Sequence, residues 1–472
     1  MKRFGFLLAT GVALLALGGP AFAADAPVLP PAAVKTATDI QGKALAGSGA
    51  FGFVESLTVR VGPRLAGSPA AKLSHQWAEA RFKELGLTNI KVEPFTVDGW
   101  ERGLEMASIT KPVAHHLHVN ALGHSVTTPP EGIEAPIVRF DTLEDLEAAP
   151  EGSLKGKIAF VDKKMSRLQD GGGYGEAVGV RGKGPEAAAR KGAVALLIRS
   201  IGTDSHRFPH TGITRYAEGV TAIPAGALSN PDADQLNRVL ALGQPVSIKL
   251  VLSSQAMGTL NDANVLAEIK GRELPDEIVV IGAHLDSWDL GTGALDDGAG
   301  VGIVLATAKI LKSLPQAPRR TVRFVLFGAE EVGLVGAEAY AKQHAAELPK
   351  HQVGTEADFG AGPVITFNAN VRPEAKPVIT AIGKILAPLG IVPGRGPSSG
   401  GPDIGPMTAE GVASAGLGLD GTDYFDYHHT ADDTLDKVDP KKLDQAVAAY
   451  ASFVWLAAES PVAFGPVDKK DH

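Results

Sequence analysis

Residues 283–300 read AHLDSWDLGTGALDDGAG. They follow EIVVIG, an unbroken apolar run of strand length, so the chain passes from a buried strand straight into His284, Asp286, Asp289, Asp296 and Asp297. Charge buried in this way is costly unless it is paired or held by a cation. What compensates these carboxylates therefore decides both the fold and the chemistry.

The same style continues beyond the stretch. Apolar strand-length and helix-length runs alternate: EIVVIGA at 277–283, GVGIVLATAKILKSL at 300–314, TVRFVLFGA at 321–329, LVGAEAYAKQHAAEL at 334–348, VITFN at 364–368, KPVITAIGKILAPLG at 376–390 and LDQAVAAYASFVWLAAE at 443–459. Strands spaced by helices of this length predict an α/β fold with a mixed, largely parallel sheet covered by helices. Upstream, Ser68 and Pro69 cap a helix with Leu73, Trp77 and Ala80 at helical spacing and Gly86 as its stop, and NIKVEPFTV at 89–97 reads as a strand. Residues 24–45, rich in Ala and Pro, read as a loosely ordered lead-in. Residues 110–255 differ in character: short strand candidates such as KGKIAFVD and PVSIKLVLS, one Ala-rich helix at PEAAARKGA, and the loop-like QDGGGYGEAVGVRGKG. The simplest organisation is one α/β domain, 24–109 and 256–472, interrupted by an inserted mostly-β domain at 110–255.

Composition narrows the function. Lys2 and Arg3, the apolar run at 4–19 and Ala21-Phe22-Ala23 form an export signal, residues 1–23, whose apolar part is too short for a comfortable membrane span. Its removal takes away two cations and no acid, moving the net charge from −8 to −10 and arguing against nucleic acid or an anionic membrane as partner. The chain is then periplasmic or secreted. It holds no cysteine, so any metal must be bound by His, Asp and Glu, and no thiolate can act as nucleophile.

His284 and Asp286 stand two apart at a strand end, so the imidazole can bind metal while the carboxylate orients it. Asp296 follows a Gly-rich turn before a helix, where open α/β sheets place their sites. TVRFVLFGA runs into Glu330 and Glu331; as adjacent strand residues they point opposite ways, so one can bind metal while the other faces a substrate water. Each feature alone has an ordinary explanation: a surface His-x-Asp pair, a solvated Glu-Glu, an Asp-Asp-Gly turn. GTGALDDGAG is also unsuited to cradling phosphate, since it lacks a P-loop lysine and carries two carboxylates. Their conjunction at successive strand ends, with Glu356-Ala357-Asp358 and His428-His429-Thr430 further on, is what singles them out. Two imidazoles and three carboxylates suit two zinc ions about 4 Å apart sharing a water, with one carboxylate left as base.

The ordered motifs HLDSWD, GALDDGAG, FGAEEVGLVGA, TEADFG and YHHTADDT resemble those of the co-catalytic dizinc exopeptidases, the family of zinc aminopeptidases and glutamate carboxypeptidases. Similarity to its carboxypeptidase Q branch extends to QDGGGYG, GTDSHRFPHTG and SSGGPDIGPM. The resemblance implies a zinc exopeptidase fold whose insertion is a protease-associated domain, recognisable around IPAGALSNPDADQL. It implies two zinc ions bridged by Asp296, with His284 and Asp358 completing one site and Glu331 and His429 the other. Glu330 would be the general base, Asp286 the partner of His284, and His428 a donor to the oxyanion. His429 is taken as the ligand because it directly precedes Thr430. The implied substrates are dipeptides or short peptides, and a homodimer is compatible with the family.

Competing readings are an aminopeptidase on longer peptides, a non-catalytic binding protein of the same fold, and a single-zinc glutaminyl cyclase. His206 and His210 can reach over the cleft as substrate contacts, though loop histidines are ordinarily structural. Asp403 is read either as meeting a substrate terminus or as capping a turn. His115, His116 and His118 fit a half-exposed strand and are given no function.

Overall fold

The computed structural model describes Met1 and residues 28–469. Apart from Met1, the export signal read at 1–23 lies outside the described residues. EIVVIG forms the body of a strand, Leu274–His284, that is buried on both sides. Val279, Ile281 and Ala283 enter one core, Ile278 and Val280 another. The eight-stranded sheet runs Thr88–Glu101, Gln255–Ile269, Arg320–Phe327, Leu274–His284, His351–Glu356, Ser414–Leu419, Val364–Asn370 and Val392–Pro393 in space. Its middle pairs are parallel and antiparallel pairs flank them, so the sheet is mixed.

Register positions the site. His284 pairs with Phe327, and Gly282 with Glu356, so three neighbouring strands release the chain along one edge. Helices Pro31–Leu45, Ala50–Arg60, Ala299–Lys312 and Pro440–Glu459 share the larger core on one face, while Val335–Gln343 and Gly405–Ala409 cover the other. The helix after Asp297 can approach closely because residue 300 is glycine: a Cβ there would stand 1.8 Å from the Ala357 carbonyl oxygen.

Three local expectations fail. The lead-in is helical from Pro31 to Leu45, with Ala33, Ala37, Ile40 and Ala44 buried in one stripe; Trp455 Nε1 donates to the Ala33 carbonyl across 3.0 Å. Proline is tolerated in a first helical turn, so the Ala-Pro composition concealed a docking helix. Most of QDGGGYGEAVGVRGKG is also helical, in Gly172–Ala177 and Gly179–Arg190, because burial of Ala177, Val180, Ala187 and Ala188 overrides the poor propensity of glycine. Finally, the strand Arg320–Phe327 ends before Glu330. The two glutamates diverge because Ala329 is left-handed at φ 56° and the turn closes with Gly333 N–H on the Glu330 carbonyl, not because of strand alternation.

Residues 105–252 build a second eight-stranded sheet with helices of its own, including Gly179–Arg190 and Asn230–Leu240. It starts with Glu105–Lys111 and ends with Ser247–Leu252, which pair antiparallel. Parallel strands Ile133–Phe140, Ile158–Val161, Ala195–Arg199 and Ala225–Leu228 make this segment mixed α/β.

The last helix ties the first sheet together. Pro440–Glu459 is buried nearly all round from Ala446 onward, and Phe453, fully buried, sits 5.6 Å from the Phe367 ring. Phe453→Ala is expected to lower unfolding stability by about 3–5 kcal/mol in a denaturant titration. A loss below about 1 kcal/mol would mean that this helix does not pack as described.

Candidate metal centre and catalytic cleft

The loop leaving the central strand is fixed by its own backbone. His284 N–H donates to Asp297 Oδ2 at 3.1 Å, and Gly300 N–H to Asp297 Oδ1 at 3.0 Å. Asp297 is thus a fully buried acceptor of main-chain amides, facing away from its neighbour Asp296 in role if not in sequence. His284 turns Nε2 toward Asp296 Oδ1 at 3.2 Å and Asp358 Oδ1 at 3.6 Å. Its Nδ1 lies 3.1 Å from the Asp286 carbonyl oxygen and 3.6 Å from the Asp286 carboxylate. The firm bonds of that carboxylate go elsewhere: it accepts the amides of Glu330 at 3.0 Å and Glu331 at 3.3 Å. Asp286 thereby joins the His284 strand end to the glutamate turn.

On the other side, His429 Nε2 lies 2.9 Å from Glu331 Oε2 and 3.1 Å from Asp296 Oδ2. Its Nδ1 lies 3.2 Å from the Thr211 carbonyl oxygen and 3.3 Å from Arg181 Nη1; with Nε2 given to a metal, Nδ1 keeps the proton and the Thr211 carbonyl is its acceptor. Two donor clusters result, His284–Asp296–Asp358 and Asp296–Glu331–His429, with Asp296 common to both. The donors suit metal ions: they are imidazole nitrogens and carboxylate oxygens, and Glu331 Oε1 is buried without a hydrogen-bond partner. His428 stacks on His429 at 3.6 Å, keeps its Nε2 3.4 Å from Asp296 Oδ2, and joins the cleft wall.

Beside the clusters opens a cleft of about 410 Å³, lined by Glu330, Glu331, Asp296 and Asp358 together with Tyr174, Arg181 and Arg215 of the second sheet's segment. The Glu330 carboxylate makes no hydrogen bond or ion pair among the described residues, although its amide is held by Asp286. His206 and His210 do not line the cleft among the described residues. His206 Nε2 bonds the Asp426 carbonyl at 2.7 Å, and His210 is buried against His429, its ring centroid 5.3 Å away. Asp403 lies fully buried behind Glu356, which accepts the Asp403 amide at 2.8 Å; it meets neither the cleft nor a turn amide through its side chain.

A model of peptidase family M28 matches residues 264–454. Mouse carboxypeptidase Q is 34% identical over 400 residues, covering 84% of this chain and 83% of that protein. The crystal structure of a peptidase M28 precursor from Shewanella amazonensis SB2B superposes with a TM-score of 0.91 at 52% identity, across 93% of this chain and 99% of the other. The chain belongs to peptidase family M28. A zinc aminopeptidase from Bacillus subtilis shares the fold, with TM-score 0.63 and 23% identity over 89% of this chain and 98% of its own. Membership makes the M28 chain a zinc-dependent exopeptidase, and the two clusters sharing Asp296 fit the pair of zinc ions.

Several supporting residues escaped the sequence reading. Arg64, fully buried, donates to the carbonyls of Leu285 at 2.5 Å, Thr292 at 2.8 Å and Gly293 at 2.9 Å, bracketing the M28 chain's Asp296 loop from beneath. Asp433 accepts the amides of Leu295 at 2.7 Å and Asp296 at 3.2 Å. Asp433 stood inside YHHTADDT, but nothing in the spacing marks which of its acids turns back onto a loop so distant in sequence.

Without cations the M28 centre is crowded with carboxylates. Burial, reinforced by Asp296, lifts Asp433 to about 7, and burial with Asp358 nearby lifts Glu356 to about 8. Burial also pushes Glu330 well above the usual carboxylate range, with Asp358 and Glu331 adding to it. Burial opposes charge on His429, yet Glu331 and Asp296 outweigh it and raise the imidazole to about 9. Each of these groups holds its proton more tightly folded than unfolded. Its contribution is complete below the unfolded value and lost as pH rises through the folded one. Buried His210 and His428 shift the other way, which matters only below about pH 6.5. Metal-free M28 chain is therefore expected to melt at progressively lower temperature from about pH 6.5 to 9, with zinc largely removing the slope. Thermal unfolding of chelator-treated protein checks this, and a flat or rising profile would contradict the electrostatic assignment.

Proposed function

We propose that the chain is an exported dizinc exopeptidase that hydrolyses dipeptides or short peptides carrying a free C-terminal carboxylate. The observation that carries the reading is the pair of donor clusters meeting at Asp296 beside an uncommitted Glu330 in the cleft wall. His284, Asp296 and Asp358 would hold one zinc, and Asp296, Glu331 and His429 the other. Bound there, two zinc ions would supply Lewis-acid polarisation of a peptide carbonyl and a water of lowered pKa. Glu330 accepts a proton from the attacking water and returns it to the departing amine. Asp286 keeps Glu330 in place through its amide and keeps His284 in line. His428, neutral through burial beside His429, can donate one N–H to the developing oxyanion.

The substrate class follows from charge across the cleft. Four acids line it, yet so do Arg181 and Arg215, which have no carboxylate partner among the described residues. Arg181 is almost fully buried and its Nε has no hydrogen-bond partner. Arg215 closes over Gly333, where a Cβ would stand 2.4 Å from its Nη2. A buried guanidinium without a counter-charge, Arg181, beside an exposed one, Arg215, suits a ligand carboxylate, and the similarity to carboxypeptidase Q agrees with that choice. On this reading the segment carrying both arginines, a protease-associated domain by its likeness to the family, completes the binding site. Export rests on residues 1–23; among the described residues no helix is long and apolar enough to cross a membrane.

Purified protein is to be incubated with dipeptides, dipeptide amides and blocked tripeptides, with and without chelator, and the broken bond identified by mass. Chelator-sensitive cleavage of free dipeptides supports the reading, whereas preference for amides or for long peptides with free N-termini would make the chain an aminopeptidase. Glu330→Gln should retain two zincs while kcat falls by about 10²–10⁴-fold. Arg215→Ala should raise KM for free dipeptides by about tenfold or more and leave that for the amides nearly unchanged. Hydrolysis by Glu330→Gln at the wild-type rate would remove that residue from its role.

A further inference from the structure

Asp289, prominent in the sequence yet outside both donor clusters, leads to a residue that the chemistry above does not use. Arg102 is 11% exposed and all five of its N–H donors have acceptors within bonding distance. Nε and Nη2 grip the two Asp289 oxygens at 2.7 and 2.9 Å. Nη1 donates to Glu105 Oε1 at 2.6 Å and to the Ala121 carbonyl at 2.8 Å. Nη2 also donates to Thr211 Oγ1 at 3.0 Å.

These acceptors belong to three different places. Asp289 lies on the loop that leaves His284, while Glu105 and Ala121 begin the second sheet. Thr211 is the residue whose carbonyl receives His429 Nδ1–H; its own amide donates to the His429 carbonyl at 3.0 Å, and its hydroxyl donates to Ala121 at 2.9 Å. A backbone carbonyl can orient an imidazole only as well as its residue is held. Thr211 belongs to a segment without helix or strand, and Arg102 and Ala121 are what fix its side chain. His284, by contrast, finds its Nδ1 acceptor two residues away on its own loop.

We propose that Arg102 is a positioning residue for the zinc site of Glu331 and His429: it locks Thr211 against the His284 loop and so sets the direction of the His429 lone pair. The inference rests on the two-zinc reading of the centre. Lysine at 102 would keep the charge but cannot span five acceptors from one planar fork. Arg102→Lys should therefore weaken one zinc by about 10–100-fold and leave the other unchanged.

The test titrates zinc into metal-free full-length protein against a competing chelator, for wild type, Arg102→Lys and Thr211→Val, with thermal unfolding of each metal-free form alongside. Thr211→Val removes the hydroxyl at nearly constant shape and should lose the same zinc, so it decides the matter if Arg102→Lys does not fold. Combining either variant with Asp358→Asn, which disables the opposite cluster, should leave no tight zinc. Two wild-type affinities in both single variants, equal weakening of both zincs, or a tight zinc surviving in the combined variant would overturn the proposal. A wild-type chain binding fewer than two zincs would instead overturn the two-zinc reading itself.

Discussion

The carboxylate of Asp296 sits between two imidazoles, 3.2 Å from His284 and 3.1 Å from His429, and the surrounding structure answers to that position. Around it stand Asp286, Asp297, Glu330, Glu331, Asp358 and Glu356, most of them buried. Two unit charges 4 Å apart at an effective dielectric near 20 repel by about 4 kcal/mol. Folded domains are stable by only about 5–15 kcal/mol, so a few such repulsions exceed the whole margin. Protons or cations must therefore be present, and a pair of divalent ions satisfies the same oxygens that would otherwise hold protons. Metal binding and the stability of this edge of the sheet are one equilibrium.

Holding such a centre open for metals requires that its donors not collapse onto one another, and the means is mostly main chain. Asp286, Asp297 and Asp433 accept amides from the very loops that carry the donors. Arg64 does the converse, donating to three carbonyls of the same region. Acids that bind amides and a cation that binds carbonyls shape the loops without occupying the donor atoms of Asp296, Glu331 or Asp358.

That division also explains what was legible in sequence. His284 and the Glu330-Glu331 pair come within three residues of the apolar runs EIVVIG and TVRFVLF, where charge conflicts with burial, and their conjunction with Asp296, Asp358 and His429 made the donors legible. The central sheet was legible for the same reason, through long strand and helix periods. Residues acting on backbone atoms leave no such mark: nothing in the sequence around Arg64 points to the loop carbonyls it binds. Local composition misled in two places. Alanine and proline before residue 45, and glycine at 171–184, describe propensity alone, whereas burial of a single stripe makes helices of both.

The second sheet then has a physical reason to be interposed where it is. A strand edge can supply His284, Glu331 and Asp358, but the groups gathered around them are mainly acidic, and it offers no acceptor to His429 Nδ1. The segment between residues 105 and 252 supplies the missing polarity in both senses: the Thr211 carbonyl for His429, and two guanidinium groups in the lining of the same cleft. Acid and base line one cleft, and a short peptide carries an ammonium at one end and a carboxylate at the other. The cleft is therefore a property of both segments: Glu330, Glu331, Asp296 and Asp358 come from one, and Tyr174, Arg181 and Arg215 from the other.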